Sequence, residues 1–282
     1  MATFTNQATL TYNGSTVVSN VAVGEYRAAL DVAKAASGTT YVPGEPVTYV
    51  VSLRNTGETA LTGFTVTDNL GAYTLTSGTT VYPLSYVAGS VMLYQNGVLQ
   101  SAPTVTAGPP LVFSGITVPA GGDVVLVYRA TPNTYAAPTA GGTLVNTVTV
   151  TGTATESATA TATVTVTAVP NLTVSKSVEP IPVTAGGTLT YTIVIRNYGN
   201  TAADATDNIS VTDTFDPVLS NLTATLNGTA LTAGTDYTYT NGTFTTTPGR
   251  ITVPAATFTQ NPTTGIYTTV PGTATLVITG TV

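Results

Sequence analysis

A lysine, an aspartate and an asparagine recur in this chain at positions that favour chemistry between their side chains. Lys34, Asp68 and Asn146 each alternate with polar neighbours and share the parity of the apolar residues in their own segments. Because successive side chains of a β-strand point to opposite faces, all three are predicted to face inward. A second set with the same alternation consists of Lys176, Asp213 and Asn6.

An inward lysine, asparagine and carboxylic acid are the ingredients of an autocatalytic isopeptide bond. Burial favours the neutral amine, which can attack the asparagine carbonyl while a protonated acid polarises it. We expect Lys34 to join Asn146 with help from Asp68 inside one repeat. We expect Lys176 to join Asn6 of a neighbouring subunit with help from Asp213. The alternative is a buried lysine–aspartate pair with asparagine hydrogen bonds, or side chains that reach water near the end of a sandwich.

The composition excludes most other chemistry. The chain has no His, Cys or Trp, so imidazole or thiolate metal sites, disulfides and His-dependent catalysis are excluded. Only 7% of its 282 residues are charged, which argues against nucleic-acid binding. No apolar run is long enough for a membrane span, and no phosphate loop or nucleophile–base pair is visible. Asp204, Asp207 and Asp213 lack a calcium-loop spacing, so the sequence predicts no metal, no cofactor and no enzyme.

The elements that position these side chains are predicted to be β-strands. Apolar and polar residues alternate through the chain, and Thr, Val, Tyr and Gly are abundant, as is typical of strands and turns. Asn-Gly pairs are strong signals for tight hairpins, and they occur at Asn13-Gly14, Asn96-Gly97, Asn227-Gly228 and Asn241-Gly242. The pattern indicates an all-β chain of immunoglobulin-like sandwiches.

Internal repeats define the domains. Leu30-Asp-Val-Ala-Lys34 recurs as Leu172-Thr-Val-Ser-Lys176, and the offset is shared by later motifs. A small insertion is expected at residues 202–208, and Val125-Leu-Val127 resembles Leu276-Val-Ile278. The predicted parts are an N-terminal hairpin at residues 1–27, a first sandwich at 28–168 and a second at 169–282.

The motif run of the second repeat carries a family resemblance. Leu172-Thr-Val-Ser-Lys176, Gly186 to Gly199 and Val211-Thr-Asp213 resemble the bacterial conserved-repeat domain known as domain of unknown function eleven. The resemblance covers both repeats. It implies immunoglobulin-like modules of bacterial and archaeal surface proteins and appendages, without an assigned enzymatic activity. The lysine–asparagine pairing also resembles the cross-links of Gram-positive pilin and adhesin modules.

The N-terminal segment is similar to the strands that close the first repeat. Phe4 to Tyr12 has the pattern of Leu144 to Gly152, whereas the second repeat has no closing pair of its own. We therefore expect residues 1–23 to act as a donor that completes the second sandwich of another subunit. The predicted inward residues of the donor are Phe4, Asn6, Ala8, Leu10, Tyr12, Val17, Val21 and Val23.

This arrangement predicts a head-to-tail homopolymer, a fibre on the outside of a cell or spore. Three alternatives remain. The donor could fold back onto its own second repeat, or the chain could be a fragment of a longer repeat array. It could also be an adhesin or stalk segment that binds a ligand through loops such as Ala72 to Ser90.

Glycans are further possible covalent partners. Asn-X-Ser/Thr acceptor sequences, in which glycosylation depends on the host, occur at Asn13, Asn171, Asn208, Asn221, Asn227 and Asn241.

Overall fold

The computed structural model describes residues 2–26, 29–152 and 157–282. These residues form 28 β-strands, with a three-residue 3-10 turn at Ala205–Asp207. The all-β prediction is confirmed, and the 3-10 turn lies where the insertion was expected. The predicted boundary between residues 27 and 28 lies outside the described residues.

The N-terminal region is a long, irregular hairpin. Its strands are β1 (Ala2–Asn6), β2 (Thr9–Tyr12), β3 (Ser15–Val18) and β4 (Ala22–Tyr26). β2 pairs with β3 around Asn13 and Gly14, and β1 pairs with β4. Asn13 and Gly14 both have positive φ, as tight hairpin turns of this kind require.

The first sandwich has two antiparallel sheets. Its strands are β5 (Leu30–Ala36), β6 (Thr40–Tyr41), β7 (Val47–Asn55), β8 (Leu61–Asp68), β9 (Tyr73–Thr74), β10 (Thr80–Val81), β11 (Leu84–Tyr86), β12 (Met92–Gln95), β13 (Val98–Gln100), β14 (Thr104–Thr106), β15 (Leu111–Val118), β16 (Asp123–Pro132), β17 (Thr143–Thr151) and β18 (Ser157–Val166). One sheet has the order β13-β12-β16-β7-β5, with β11 also on β16. The other has the order β14-β15-β8-β17-β18-β6, in which β6 pairs with β18 in parallel.

The sheet order is that of an immunoglobulin-like domain. β12, β16, β7 and β5 correspond to strands D, E, B and A, and β8, β17 and β18 correspond to C, F and G. Alternate residues of these strands point between the sheets. On β7, for example, Tyr49, Val51 and Leu53 are fully buried, which is why apolar residues recur at every second position.

The second sandwich repeats the first sheet and only part of the other. Its strands are β19 (Leu172–Glu179), β20 (Thr188–Asn197), β21 (Thr212–Thr214), β22 (Ser220–Leu226), β23 (Thr229–Ala230), β24 (Tyr237–Thr240), β25 (Thr243–Thr246), β26 (Thr257–Gln260), β27 (Tyr267–Val270) and β28 (Gly272–Thr281). The sheet β19-β20-β28-β22-β23 faces a short sheet, β21-β25-β24. A separate core lies between them.

Strand pairing fixes how the two repeats correspond. Tyr128 of β16 pairs with Tyr49, whereas Ile278 of β28 pairs with Tyr191, the repeat equivalent of Tyr49. Leu276 therefore corresponds to Leu126. The sequence match of Leu276 to Val125 was wrong by one residue, because both segments are apolar at consecutive positions and a pattern of that kind does not fix the register.

The remaining Asn-Gly hairpins are confirmed as well. β12–β13, β22–β23 and β24–β25 turn at residues 96–97, 227–228 and 241–242. In each turn both residues have positive φ.

Candidate cross-linking and assembly sites

Three strands of the first sandwich bring Lys34, Asp68 and Asn146 together. Lys34 lies on β5, Asp68 ends β8 and Asn146 lies on β17. β8 and β17 are neighbours, with Asp68 opposite Val148, so Asn146 lies one inward-facing position further along β17. β5 belongs to the other sheet and packs along β18 at the edge of the sandwich. The three side chains thus meet between the sheets.

A single oxygen of Asp68 is the meeting point. Lys34 Nζ donates to Asp68 Oδ2 at 2.9 Å, and Asn146 Nδ2 donates to the same oxygen at 3.2 Å. The Tyr128 hydroxyl also donates to Oδ2. The other oxygen, Oδ1, accepts the backbone N–H of Leu70 at 2.7 Å. The lysine and the amide are therefore held on one acid.

The cluster is closed to solvent. The side chains of Lys34 and Asp68 have no exposed surface, and Asn146 is fully buried. Burial lowers the pKa of Lys34 to about 8, although the charge of Asp68 opposes this shift. Burial also raises the pKa of Tyr128 well above its ordinary value, and the Asp68 charge adds to the effect. A lysine in this state loses its proton far more readily than one in water.

The asparagine carbonyl in this cluster has no hydrogen bond among the described residues. Asn146 Oδ1 is buried without a partner, and so is the hydroxyl of the neighbouring Tyr49. An unpaired buried acceptor is costly. A half turn of the amide would exchange Oδ1 and Nδ2 and place the carbonyl oxygen beside Asp68, which can donate to it only when its carboxyl group is protonated.

The corresponding lysine of the second sandwich is also paired with an aspartate, but it is partly exposed to solvent. Lys176 Nζ lies 2.6 Å from Asp213 Oδ2, and the Lys176 side chain is 41% exposed. Its ammonium lies over the rings of Tyr191 and Phe215, at 4.7 and 5.3 Å from their centroids. This lysine therefore has an acid and aromatic rings beside it, but among the described residues no asparagine is bonded to it or to Asp213.

An apolar groove surrounds Lys176. Its lining includes Leu172, Val174, Ile193, Ile195, Ile209 and Val211. Leu172 is 38% exposed and Val174 is 68% exposed, whereas Leu30, the equivalent of Leu172, is 6% exposed. In the first sandwich β17 and β18 cover this place. Among the described residues, β21 pairs with β25 on one side and has no strand on the other, whereas β8 lies between β15 and β17.

The N-terminal hairpin exposes the pattern that β17 and β18 bury. Phe4, Leu10, Tyr12 and Val17 are all more than half exposed. Asn6 faces Ala22 across the hairpin, just as Asn146 faces Ala162. Within the described residues, no hydrogen bond or ion pair joins Asn6 to Lys176 or Asp213.

Two predicted donor residues are placed differently by the structure. Val23 pairs with Thr5, so it lies on the opposite face from Phe4 and Asn6, and Val21 precedes β4 rather than lying in it. The register shifts by one residue between the Leu10–Val17 pair and the Asn6–Ala22 pair. A bulge of this kind reverses the faces, so Ala22 and Gly24 replace Val21 and Val23 on the inner side.

The sequence interpretation missed the tyrosines of the first site. Tyr128 and Tyr49 stack at 5.8 Å between ring centroids, and both contact the buried cluster. The alternation of β16, in which Val124, Leu126 and Tyr128 are buried, was the available signal.

The other candidate residues have separate roles in the structure. Asp204 and Asp207 cap the 3-10 turn, while Asp213 pairs with Lys176. The six glycan acceptor asparagines are all exposed. No described helix is long and apolar enough to cross a membrane.

Comparisons with known proteins gave structural likenesses alone. No family model matches the chain, and no curated protein matches it. Among solved structures, the major pilin subunit BcpA of Bacillus cereus is 13% identical, with a TM-score of 0.35, over 96% of this chain and 73% of that one. The major pilin SpaD of Corynebacterium diphtheriae is 14% identical, with a TM-score of 0.37, over 86% of this chain and 61% of that one.

A collagen-binding domain from a Staphylococcus aureus adhesin is 12% identical, with a TM-score of 0.31, over 50% of this chain and 99% of that domain. At this level of similarity no function transfers from these proteins to this chain.

Proposed function

We propose that this protein is the structural subunit of an extracellular fibre, in which the N-terminal hairpin of one chain fills the groove of the second sandwich of another. The observation that carries the proposal is the match between two exposed apolar surfaces. The groove around Lys176 lies where β17 and β18 cover the first sandwich, and the hairpin has their pattern, including an asparagine opposite an alanine.

Burial of these surfaces provides the driving force. Phe4, Leu10, Tyr12 and Val17 on the hairpin and Val174 in the groove are more than half exposed. Each such side chain contributes about 1.5–3 kcal/mol when it becomes fully buried. The joint is therefore worth on the order of 10 kcal/mol before the cost of association. The free edge of β21 adds backbone hydrogen bonds.

The geometry of the contact leads to a polymer. Hairpin and groove are different surfaces of one chain, so the contact is heterologous and repeats from chain to chain. We propose an open filament of identical subunits on a cell or spore surface, consistent with the predicted resemblance to conserved-repeat surface modules.

We further propose that Lys34 and Asn146 form an isopeptide bond. A proton passes from Lys34 to Asp68, leaving a neutral amine and a carboxylic acid. The amine attacks Cγ of Asn146 while Asp68 donates a hydrogen bond to Oδ1. The new C–N bond replaces the bond to Nδ2, which takes up the proton released by the amine and departs as ammonia. The distances and burial of the cluster support this reaction.

The same chemistry would lock the fibre. When a hairpin fills the groove in the register of β17, Asn6 occupies the position of Asn146 and lies beside Lys176 and Asp213. The site is then complete and closed to water, and a bond from Lys176 to Asn6 joins two subunits. Each bond lowers the mass of the product by one ammonia.

Two variants, each of which keeps only one of the two assembly surfaces, test the assembly. Leu10→Arg places a charge on the inner face of the hairpin and leaves the groove intact, whereas Val174→Arg blocks the groove and leaves the hairpin intact. Each variant alone should stay monomeric, and a mixture should give a dimer with one joint. Light scattering after size-exclusion chromatography measures this.

Thr9→Arg, on the opposite face of the same hairpin, is the matched control and should polymerise. Polymers formed by Leu10→Arg alone, or a mixture that stays monomeric, would contradict the proposal. Lys176→Arg keeps the charge but cannot form the bond, so it should give fibres that fall apart in hot detergent, while wild-type ladders persist.

A further inference from the structure

The two sandwiches of one chain meet through a hairpin that only the second repeat has. In the first repeat, residues 120–121 alone separate Pro119 from Gly122, which leads into β16. In the second, residues 255–271 separate the equivalent Pro254 from Gly272 and contain β26 and β27. The two prolines are equivalent because Asn55 and Asn197, which correspond in the repeats, each donate a side-chain hydrogen bond to them. We name the hairpin Thr257–Val270 the strut.

The strut packs on a segment that only the first repeat has. Between Asp68 and β11 the first sandwich contains residues 69–83, including β9 and β10, whereas the second has only residues 214–219 between Asp213 and β22. We name residues 69–83 the receiving loop. It overlaps the ligand-contacting region predicted at Ala72 to Ser90. The strut contacts it at Tyr73, Leu75 and Val81, whereas residues 76–80 stay exposed.

The contacts between strut and receiving loop are close and specific. Gln260 Nε2 donates to the Tyr73 hydroxyl at 2.6 Å, and that hydroxyl donates to the Tyr135 carbonyl at 2.8 Å. Gly265 is buried with φ +76°, and a Cβ there would lie 3.1 Å from Val81 and 3.2 Å from Leu75. Leu75 and Val81 are buried yet belong to neither sandwich core.

The linker between the sandwiches is held as well. Asn200 Nδ2 donates to the carbonyls of Thr167 and Pro138 at 3.0 and 3.1 Å, and its Oδ1 accepts the N–H of Val169. The residue equivalent to Asn200 in the first repeat is Glu58, which is exposed. A carboxylate cannot donate these bonds.

We infer that the strut makes the two sandwiches of a chain one stiff unit, and that the fibre bends at the joints between chains. This inference rests on the proposed function. At a joint between chains, a second sandwich meets the first sandwich of the next subunit. The incoming sandwich has no strut, the receiving sandwich has no loop equivalent to residues 69–83, and Glu58 stands where Asn200 holds the linker. Stiff and flexible joints therefore alternate along the fibre.

The stiffness within one chain can be measured without fibres. The sequence has no cysteine, so Thr161→Cys and Thr229→Cys, one exposed site on each sandwich, give a spin-label pair free of background. Labelled chains diluted in unlabelled protein report the distance distribution within a chain by double electron–electron resonance. We expect a narrow distribution. Replacing residues 255–271 by the Ala-Gly pair of the first repeat should broaden it about twofold or more, because domains without a substantial interface move freely.

Two point variants guard against misfolding of the deletion. Gly265→Val drives a side chain into Val81 and Leu75 and should broaden the distribution too, whereas Thr259→Ala, on the exposed face of the strut, should not. If the distance distributions of wild type, the deletion variant and Gly265→Val are equally wide, the inference is overturned.

The joints between chains are measured in fibres by cryo-electron microscopy. The spread of bending angles should be wider between chains than within them, and equal spreads would overturn the inference. Absence of fibres would contradict the proposed function and the alternation of joints, while the spin-label result would still decide whether the strut stiffens the chain.

Discussion

The two sandwiches present the same lysine–aspartate pair in opposite environments. Lys34 and Asp68 are fully enclosed beneath β17 and β18, whereas Lys176 is 41% exposed beside an open apolar groove. The residues that differ most are those that cover the pair. Burial by two strands, one of them bearing an asparagine, distinguishes the first site from the second.

The largest expected difference between the sandwiches comes from a charge placed at equivalent leucines. Leu30→Arg buries an unpaired charge in the first sandwich and should cost at least about 4 kcal/mol. Leu172→Arg should change the stability of the monomer by less than about 1 kcal/mol and abolish assembly. Hydrogen exchange measured by mass spectrometry, in the Leu10→Arg background that keeps chains apart, resolves the two sandwiches. Equal losses would mean that the groove is already filled within the chain.

The next largest difference in stability between the two sandwiches is expected when the aspartates are replaced. Asp68→Asn leaves the Lys34 ammonium buried without its counter-charge and should destabilise the first sandwich by about 3–5 kcal/mol. Asp213→Asn should cost about 0–1 kcal/mol in the monomer, because Lys176 can reach water. The exposed Asp31, on the same strand as Lys34, supplies the control Asp31→Asn. Hydrogen exchange measures both variants. A large loss of stability in Asp213→Asn would contradict the expectation that Lys176 can reach water.

Tyr128 offers a smaller contrast, since Ile278 replaces it in the second sandwich. Tyr128→Phe keeps the ring against Tyr49 and Phe113 but removes the hydrogen bond to Asp68. We expect a loss of about 1–3 kcal/mol in the free energy of unfolding. Tyr94→Phe, with a hydroxyl bonded only weakly to Met92, should change it by less than about 0.5 kcal/mol. A Tyr128→Phe variant as stable as wild type would show that the hydroxyl does not hold Asp68.

The pH dependence of isopeptide bond formation tests the proposed roles of Lys34 and Asp68. The reactive state holds one proton between Lys34 and Asp68, and the pKa of Lys34 near 8 marks the loss of that proton. The rate of ammonia loss should therefore be lower above pH 8 than at pH 7, and fall by about tenfold per pH unit well above pH 8. Chains diluted from denaturant into buffers of different pH, and followed by intact mass, give the rate. A rate that keeps rising above pH 8 would mean that Asp68 does not act as an acid.

Much of this organisation was predictable from local pattern. Alternation placed Lys34, Asp68 and Asn146 on inward faces, and Asn-Gly pairs located four hairpins, because both signals depend only on neighbouring residues. Tyr128 could have been predicted from the alternation of β16, but it follows the segment compared between the repeats and was missed. Two features were not predictable from local pattern. One is the bulge that reverses Val23, which depends on pairing across the hairpin, and the other is the contact between the strut and the receiving loop.

The packing of the strut against Tyr73 and Leu75 joins residues distant in sequence. Nothing in the local sequence of either segment indicates the other. Contacts of this kind depend on the placement of whole domains, which repeats and alternation do not specify.

A cryo-electron microscopy structure of the assembled protein would show whether the hairpin of one chain fills the groove of another. We expect residues 2–24 of one subunit between β19 and β21 of the next, with Asn6 beside Lys176 and Asp213. A hairpin seated in the second sandwich of its own chain, or a groove left open in the assembly, would contradict it.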